Sequence, residues 1–284
     1  MVAQYHIIGA SGRSGAALCR SLLADGLRVV PVVRNPARWA ATGLAGDARL
    51  ADLANAPALQ RALVGAEQIV SCAHARHVPA ILAAAPTAAR FVFLGSTRKF
   101  TRWPDAHGGG VLAGEAAFLA SGRAGAMLHP TMIYGAQGED NVARLAALLR
   151  FLPIVPLPGG GRALVQPVYQ DDVTACIRAA LRRDWTCPET LVIAGPSAMP
   201  YADFVCSVAR AYGLRPPRIV GLPLAVLRLA AAAAALVPLL PRITPDEIRR
   251  LTEDKAFDIG PMRERLGIEP SALADGLARM RKRV

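Results

Sequence analysis

The chain lacks the patterns that announce a disulfide framework, a metal centre or a serine hydrolase. Its five cysteines, Cys19, Cys72, Cys176, Cys187 and Cys206, stand singly, with no C-x-x-C pair. An odd, scattered set without ligand spacing fits reduced thiols and a cytoplasmic setting. The histidines at 74, 77, 107 and 129 do not fall at metal-ligand spacing on one helix, so no metal site is expected. There is no G-x-S-x-G and no P-loop lysine. Charge is sparse, 19% of residues, yet the net charge is +12. The arginines are dispersed and not interleaved with aromatics, so no nucleic-acid partner is expected. The positive excess suits an anionic ligand or an anionic membrane surface. No charged region precedes the short apolar run in MVAQYHIIGASG, which reads as a strand and not as a signal peptide.

What the chain does have is apolar periodicity. Hydrophobic residues make up 53% of its 284 positions, enough for a large packed core. Short apolar runs at 5–8, 27–33, 48–50, 68–71, 91–94 and 126–128 read as strands. Helical patterns at 14–24, 59–64, 77–85 and 112–119 alternate with them. This predicts an α/β protein with a doubly wound parallel Rossmann sheet. A Pro/Gly-rich connector at 151–162 breaks the rhythm, before a helix at 173–181 and a strand at 191–193. The expected division is a Rossmann domain over 1–195 and a smaller, mostly helical C-terminal lobe over 196–284 that meets substrate or partner. The almost wholly apolar segment 219–240 is interrupted by Pro223, Arg228 and Pro238. It reads as a buried or half-buried helix, with peripheral contact to the inner face of a membrane as the alternative.

Between the first strand and the first helix lies Gly9-Ala10-Ser11-Gly12-Arg13-Ser14-Gly15. In this G-x-x-G-x-x-G spacing the first glycine makes the tight turn and the second lets backbone approach a pyrophosphate. The third lets helix and strand pack closely. The amides of the helix N-terminus bind the anion. Gly9, Ser11, Gly12, Arg13, Ser14 and Gly15 are therefore candidate dinucleotide contacts. An NAD site carries an acid at the tip of the second strand, but this tip reads Val33-Arg34-Asn35. Arg34, with Arg13, is suited to a 2′-phosphate, so NADP(H) is expected over NAD(H).

GASGRSG with VVRNP, then Asp52-Leu53 and Ser71-Cys72-Ala73, resembles the extended and atypical short-chain dehydrogenases/reductases. The segment LPGGGRALVQPVYQDDV and the tail LTEDKAFD with LGIEPSALADGL are similar to the branch of complex I accessory-subunit-like and nucleoside-diphosphate-sugar-epimerase-like proteins. The resemblance implies that Asp52 bonds the adenine amino group with Leu53 beside it, and that Ala73 lies against the cofactor ribose. It places Ser96 or Thr97 at the catalytic Ser/Thr position. Pro130 becomes the proline of the turn near the nicotinamide, here preceded by His129 instead of the usual arginine. It puts Gln166 and Asp172 in a structural turn before the late helix, where Asp172 also reads as a helix N-terminal carboxylate.

Catalytic members of that family carry Tyr-x-x-x-Lys on the helix after the fifth strand, and no such pair occurs here. Counting back from Glu115 and Ser121-Gly122 puts His107 at the Tyr position and Val111 at the Lys position. His107 is a candidate substitute acid/base, although beside three glycines it also reads as a loop histidine. Lys99 reads as a solvated loop lysine. Two functions stay open: an oxidoreductase or epimerase-like enzyme without the usual dyad, acting on an unknown small molecule, and a non-catalytic NAD(P)H-binding scaffold or sensor, possible at a membrane.

Overall fold

A computed structural model describes residues 4–135, 141–234 and 245–281. The chain begins β1 (Gln4–Ile8), α1 (Arg13–Ala24), β2 (Arg28–Val33), α2 (Pro36–Ala40), β3 (Arg49–Leu50), α3 (Ala56–Ala62) and β4 (Gln68–Ser71). It continues α4 (Val78–Ala84), β5 (Arg90–Leu94), α5 (Ala106–Ala120), β6 (Gly125–Pro130), β7 (Ile133–Tyr134), α6 (Asn141–Leu149), β8 (Ile154–Pro158), β9 (Leu164–Val165) and β10 (Val168–Tyr169). Then come α7 (Gln170–Arg182), β11 (Pro188–Ile193), β12 (Met199–Pro200), α8 (Tyr201–Ala211), β13 (Arg218–Leu222), α9 (Leu224–Ala234), α10 (Pro245–Arg250), α11 (Gly260–Leu266) and α12 (Leu273–Arg281).

Seven strands form one sheet in the order β11-β6-β5-β4-β1-β2-β3, and every neighbouring pair is parallel. The strand order reverses between β1 and β4, and the carboxyl ends there open a crevice in which doubly wound sheets bind ligands. Helices cover both faces, so the strands read as unbroken apolar runs. Ile7, Val70, Val92, Leu128 and Ile193 face α1, α7 and α11. Their chain neighbours Ile8, Ile69, Phe91, Phe93 and Met127 face α3, α4 and α5. Each such buried side chain contributes about 1.5–3 kcal/mol.

Helix α5 starts six residues before the pattern at 112–119 suggested, at Ala106. The carboxylate of Asp105 accepts from the Gly108 amide at 2.7 Å and fixes that start. Glycine disfavours a helix interior, which hid the first turns, but here tertiary packing asks for it. A Cβ at Gly114 would lie 2.1 Å from the Ala75 carbonyl oxygen, so α5 rests directly on the 3₁₀ turn Ala75–His77.

A further core joins Tyr134, Val142, Leu157 and Tyr169 to Phe204, Val208, Leu277 and Met280. It draws on residues from both sides of position 195. The C-terminal part is mostly helical, with two short strands that pair back: β12 with β9, and β13 with β8. Of the apolar segment 219–240, residues 235–240 lie outside the described residues. In α9 Leu227 is buried, while Val226 is 49% and Leu229 74% exposed. Among the described residues, no helix is long and apolar enough to cross a membrane.

Candidate functional site

The glycine loop holds the geometry that its spacing predicts. Gly9 has φ +75° and donates its amide to the Val32 carbonyl, and the Gly12 amide closes the turn on the Gly9 carbonyl at 2.9 Å. A Cβ on Gly9 would lie 3.1 Å from the Ala73 amide nitrogen, and one on Gly15 only 2.2 Å from the Gly9 oxygen. The loop thus packs backbone on backbone, and α1 begins at Arg13 with no side chain capping it. Such a cradle fits a pyrophosphate. Ser14 Oγ donates to Gln170 Oε1 at 3.0 Å, which ties the start of α1 to the start of α7.

Beside this loop lies a cleft of about 460 Å³, lined by Arg13, Ser14, Ala73, Gly95 and Pro130 among others. They come from strand carboxyl ends, the turns that follow them and the first turn of α1. Ser11 and Gly12 instead line a larger groove between α1 and α7, which shares Arg13 and Gln170 with the cleft. Arg34, Asp52 and Leu53 line neither. Arg34 is exposed at the end of β2, and the Asp52 carboxylate accepts from the Ala54 amide in a tight turn. Arg34 and Asp52 follow strands paired Val33 to Leu50, on the far side of β1 from β4 in the sheet. Ser96 and Thr97 do not line the cleft. Ser96 Oγ accepts from the Arg98 amide, and Thr97 Oγ1 donates to the Pro130 carbonyl at 3.2 Å.

His107 and Val111 both line the cleft, one helical turn apart on α5. The histidine is therefore helical and not a loop residue. Its ring meets His74, which no local sequence pattern marks as a cleft residue, edge-on at 4.3 Å between centroids. Burial, then the Arg98 charge, hold the His107 pKa below the ordinary histidine value. Burial and His107 itself push His74 down to about 4. Both rings are neutral near neutral pH. Cys72 also lines the cleft, but burial raises its thiol far above the ordinary value, so it offers no thiolate. Tyr134 lines the cleft too, while its hydroxyl packs at the Gly276 position and burial raises its pKa.

Lys99 is not the solvated loop lysine that its position suggested. Its side chain is 9% exposed and its ammonium bonds both carboxylate oxygens of Glu115. His129, 1% exposed, accepts the Ser96 amide on Nδ1 and sets Nε2 3.4 Å from Glu115. The proton then sits on Nε2, facing the carboxylate. A Cβ on Gly95 would lie 2.3 Å from His129 Nδ1, so the imidazole fills the space behind the cleft floor. Gln166 and Asp172 are structural. Gln166 Nε2 donates to the Gly195 carbonyl and Oε1 accepts from the Phe257 amide. Asp172 accepts from the amide and hydroxyl of Ser271. Among the described residues, no cluster of side chains suits a metal ion.

Residues 9–112 match a family described as NAD(P)H-binding. No curated protein matches the chain in sequence. Among solved structures, the NADPH-dependent quinone oxidoreductase QOR2 of Escherichia coli, in complex with NADPH, is 20% identical with a TM-score of 0.74, over 97% of this chain and 99% of that one. A nucleoside-diphosphate-sugar epimerase from Pseudomonas aeruginosa is 18% identical with a TM-score of 0.73, over 99% and 97%. MoeE5, solved with UDP-glucose and NAD, is 19% identical with a TM-score of 0.71, over 99% of each chain. Residues 9–112 thus carry an NAD(P)H-binding match, and the chain as a whole has the Rossmann-like fold of these solved structures.

Proposed function

We propose that the protein is an NADP(H)-dependent oxidoreductase-like enzyme that reduces a carbonyl or quinone-type acceptor without a Tyr-x-x-x-Lys dyad. The observation that carries this is the shared cleft: Arg13 and Ser14 of the glycine loop line it together with His107 and Val111 of α5. When bound, the reduced nicotinamide supplies a hydride. Gly9, Gly12 and Gly15 give the pyrophosphate its approach, with Ser11 and Ser14 beside it. Arg34 and Arg13 pair with the 2′-phosphate, Asp52 and Leu53 meet the adenine, and Ala73 and Pro130 bound the ribose and nicotinamide. Val111 supplies no charge, and a neutral His107 is no strong acid, so protons come from water and the site acts chiefly by positioning. Ser96 and Thr97, with both hydroxyls engaged locally, take a supporting role at the end of β5.

The test has two stages. NADPH and NADH are titrated against the full chain by nucleotide fluorescence, with NADPH expected to bind the tighter. The absorbance of bound NADPH is then followed with a panel of ketones, aldehydes and quinones. Binding without any loss of absorbance moves the protein to a scaffold or sensor role. Failure of both nucleotides to bind overturns the reading altogether.

Exposed Val226 and Leu229 on α9, with Arg228 between them, favour a peripheral membrane contact as an additional property. Sedimentation with vesicles containing anionic lipid is expected to exceed sedimentation with neutral ones, and equal recovery removes the idea.

A further inference from the structure

We propose that His74 and His107 form the binding point for the acceptor's carbonyl oxygen, with His74 the fixed donor and His107 the ring that covers it. This deepens the reductase reading and rests on it. Both rings line the cleft that also holds Gly95, Val111 and Pro130. His74 Nδ1 accepts the Arg76 amide at 3.0 Å. The ring proton of the neutral imidazole is therefore on Nε2. That Nε2 is buried and has no hydrogen-bond partner among the described residues. Buried donors are nearly always paired, and an exception in a cleft wall marks a reserved role.

The donor is also held in place. A Cβ at Gly110 would lie 2.9 Å from His74 Cε1, so α5 carries no side chain where the imidazole sits. The Arg76 amide fixes the adjoining Nδ1 of the ring. His107, by contrast, is half-buried in the first turn of α5 and packs edge-on, with an interplanar angle of 84°. Turning His107 about its side-chain bonds uncovers the His74 Nε2–H for an oxygen.

The acceptor class is a neutral ketone or aldehyde. The reduced nicotinamide, when bound, would supply a hydride to the carbonyl carbon as the C=O π pair moves onto oxygen. The His74 Nε2–H holds that oxyanion, and water gives up a proton to complete the alcohol, leaving oxidised cofactor and hydroxide. The charges around the pair favour a developing anion. Arg98, Arg76 and Arg250 act on His107 and Arg76 and Arg98 on His74; Arg98 is paired with Asp105, the one acid acting on His107, so the positive excess comes from Arg76 and Arg250.

The experiment is long-range proton–nitrogen NMR of the imidazoles in the full chain. His74 is expected as the Nε2–H tautomer near neutral pH. In protein loaded with NADP+, which cannot reduce it, acetophenone is expected to shift the His74 and His107 ring resonances together. His74→Asn keeps an oxygen to accept the Arg76 amide and removes the ring donor. It is expected to weaken acetophenone binding about tenfold while NADPH affinity stays within about twofold. An Nδ1–H tautomer, a His74 resonance that acetophenone leaves unmoved, or undiminished ketone binding by His74→Asn each overturns the proposal. Nucleotide binding with a silent His74 sinks this inference alone. Loss of all nucleotide binding sinks the cofactor reading beneath it.

Discussion

Lys99 Nζ lies 2.6 Å from each carboxylate oxygen of Glu115, bridging the turn after β5 to the middle of α5 beneath the cleft floor. With His129 it brackets the elements that carry Gly95, Pro130, His107 and Val111. Removing one partner leaves a buried charge unpaired, which costs about 3–5 kcal/mol. Glu115→Leu is therefore expected to lower the urea midpoint strongly. Lys99→Met combined with Glu115→Leu is expected to recover most of the loss. A double variant no better than Glu115→Leu alone contradicts the pairing.

Gly15→Ala places a methyl 2.2 Å from the Gly9 carbonyl oxygen, backbone that cannot yield without moving the loop. Overpacking of this kind costs about 1–3 kcal/mol. The loop's displacement is expected to cut nucleotide affinity at least about tenfold. Gly26→Ala is the control for destabilisation away from the loop, since its φ of +70° strains an alanine while nothing lies within 4 Å of its Cβ, and it leaves nucleotide affinity unchanged. Equal nucleotide binding by Gly15→Ala and wild type removes the loop from the cofactor site.

Arg34→Asp tests the choice of nucleotide. A charged hydrogen bond to phosphate is worth about 1.5–3 kcal/mol, so NADPH affinity is expected to fall at least about tenfold. NADH affinity holds or improves, because an acid can accept from the ribose hydroxyl. An unchanged NADPH/NADH ratio refutes the role of Arg34.

Stability is expected to decline in mild acid through histidine. His6 and His129 are 0% and 1% exposed. Burial is the main cause holding both near a pKa of about 4, below the ordinary histidine value of 6.5. The unfolded chain takes up these protons first, so their contribution is complete above about pH 6.5 and is lost as pH falls towards about 4. The steepest loss approaches about 1.4 kcal/mol per pH unit per histidine. Urea midpoints measured across that range for wild type and His129→Gln check this, and the variant's slope is expected to be shallower. Identical slopes exclude His129 as a contributor.

Glu253, 6% exposed, clamps the approach to α5 from the C-terminal side. Its carboxylate accepts from Thr101 Oγ1 at 2.8 Å and from the Arg102 amide at 2.7 Å. Glu253→Ala is expected to speed hydrogen exchange at the Arg102 amide at least about tenfold, in keeping with loss of a charged hydrogen bond. Protection unchanged at that amide rules out the clamp.

The sheet was legible because its strands are buried on both faces, so Tyr5–Ile8 and Phe91–Leu94 read as strands without tertiary knowledge. The glycine loop was legible because its turn needs a residue without Cβ at Gly9 and Gly15. The first turns of α5 were not legible. Local propensity argues against Gly108-Gly109-Gly110 in a helix, and only contact with Ala75, His74 and Arg98 accounts for the glycines at 108, 110 and 114. Lys99 was misread for a similar reason, since its partner lies sixteen positions away on another element.

By itself the sequence determined the Rossmann architecture, the glycine cradle and the absence of a Tyr-x-x-x-Lys pair, because each depends on residues close together in the chain. Which side chains share the cleft was decided only by tertiary structure. The packing of α5 onto the Ala75–His77 turn brings His74 against His107 across an interval with no periodicity. It also turns Lys99 and Glu115 towards each other and away from solvent. Burial then holds the pKa values of His74 and His107 below the ordinary histidine value, which no local pattern encodes.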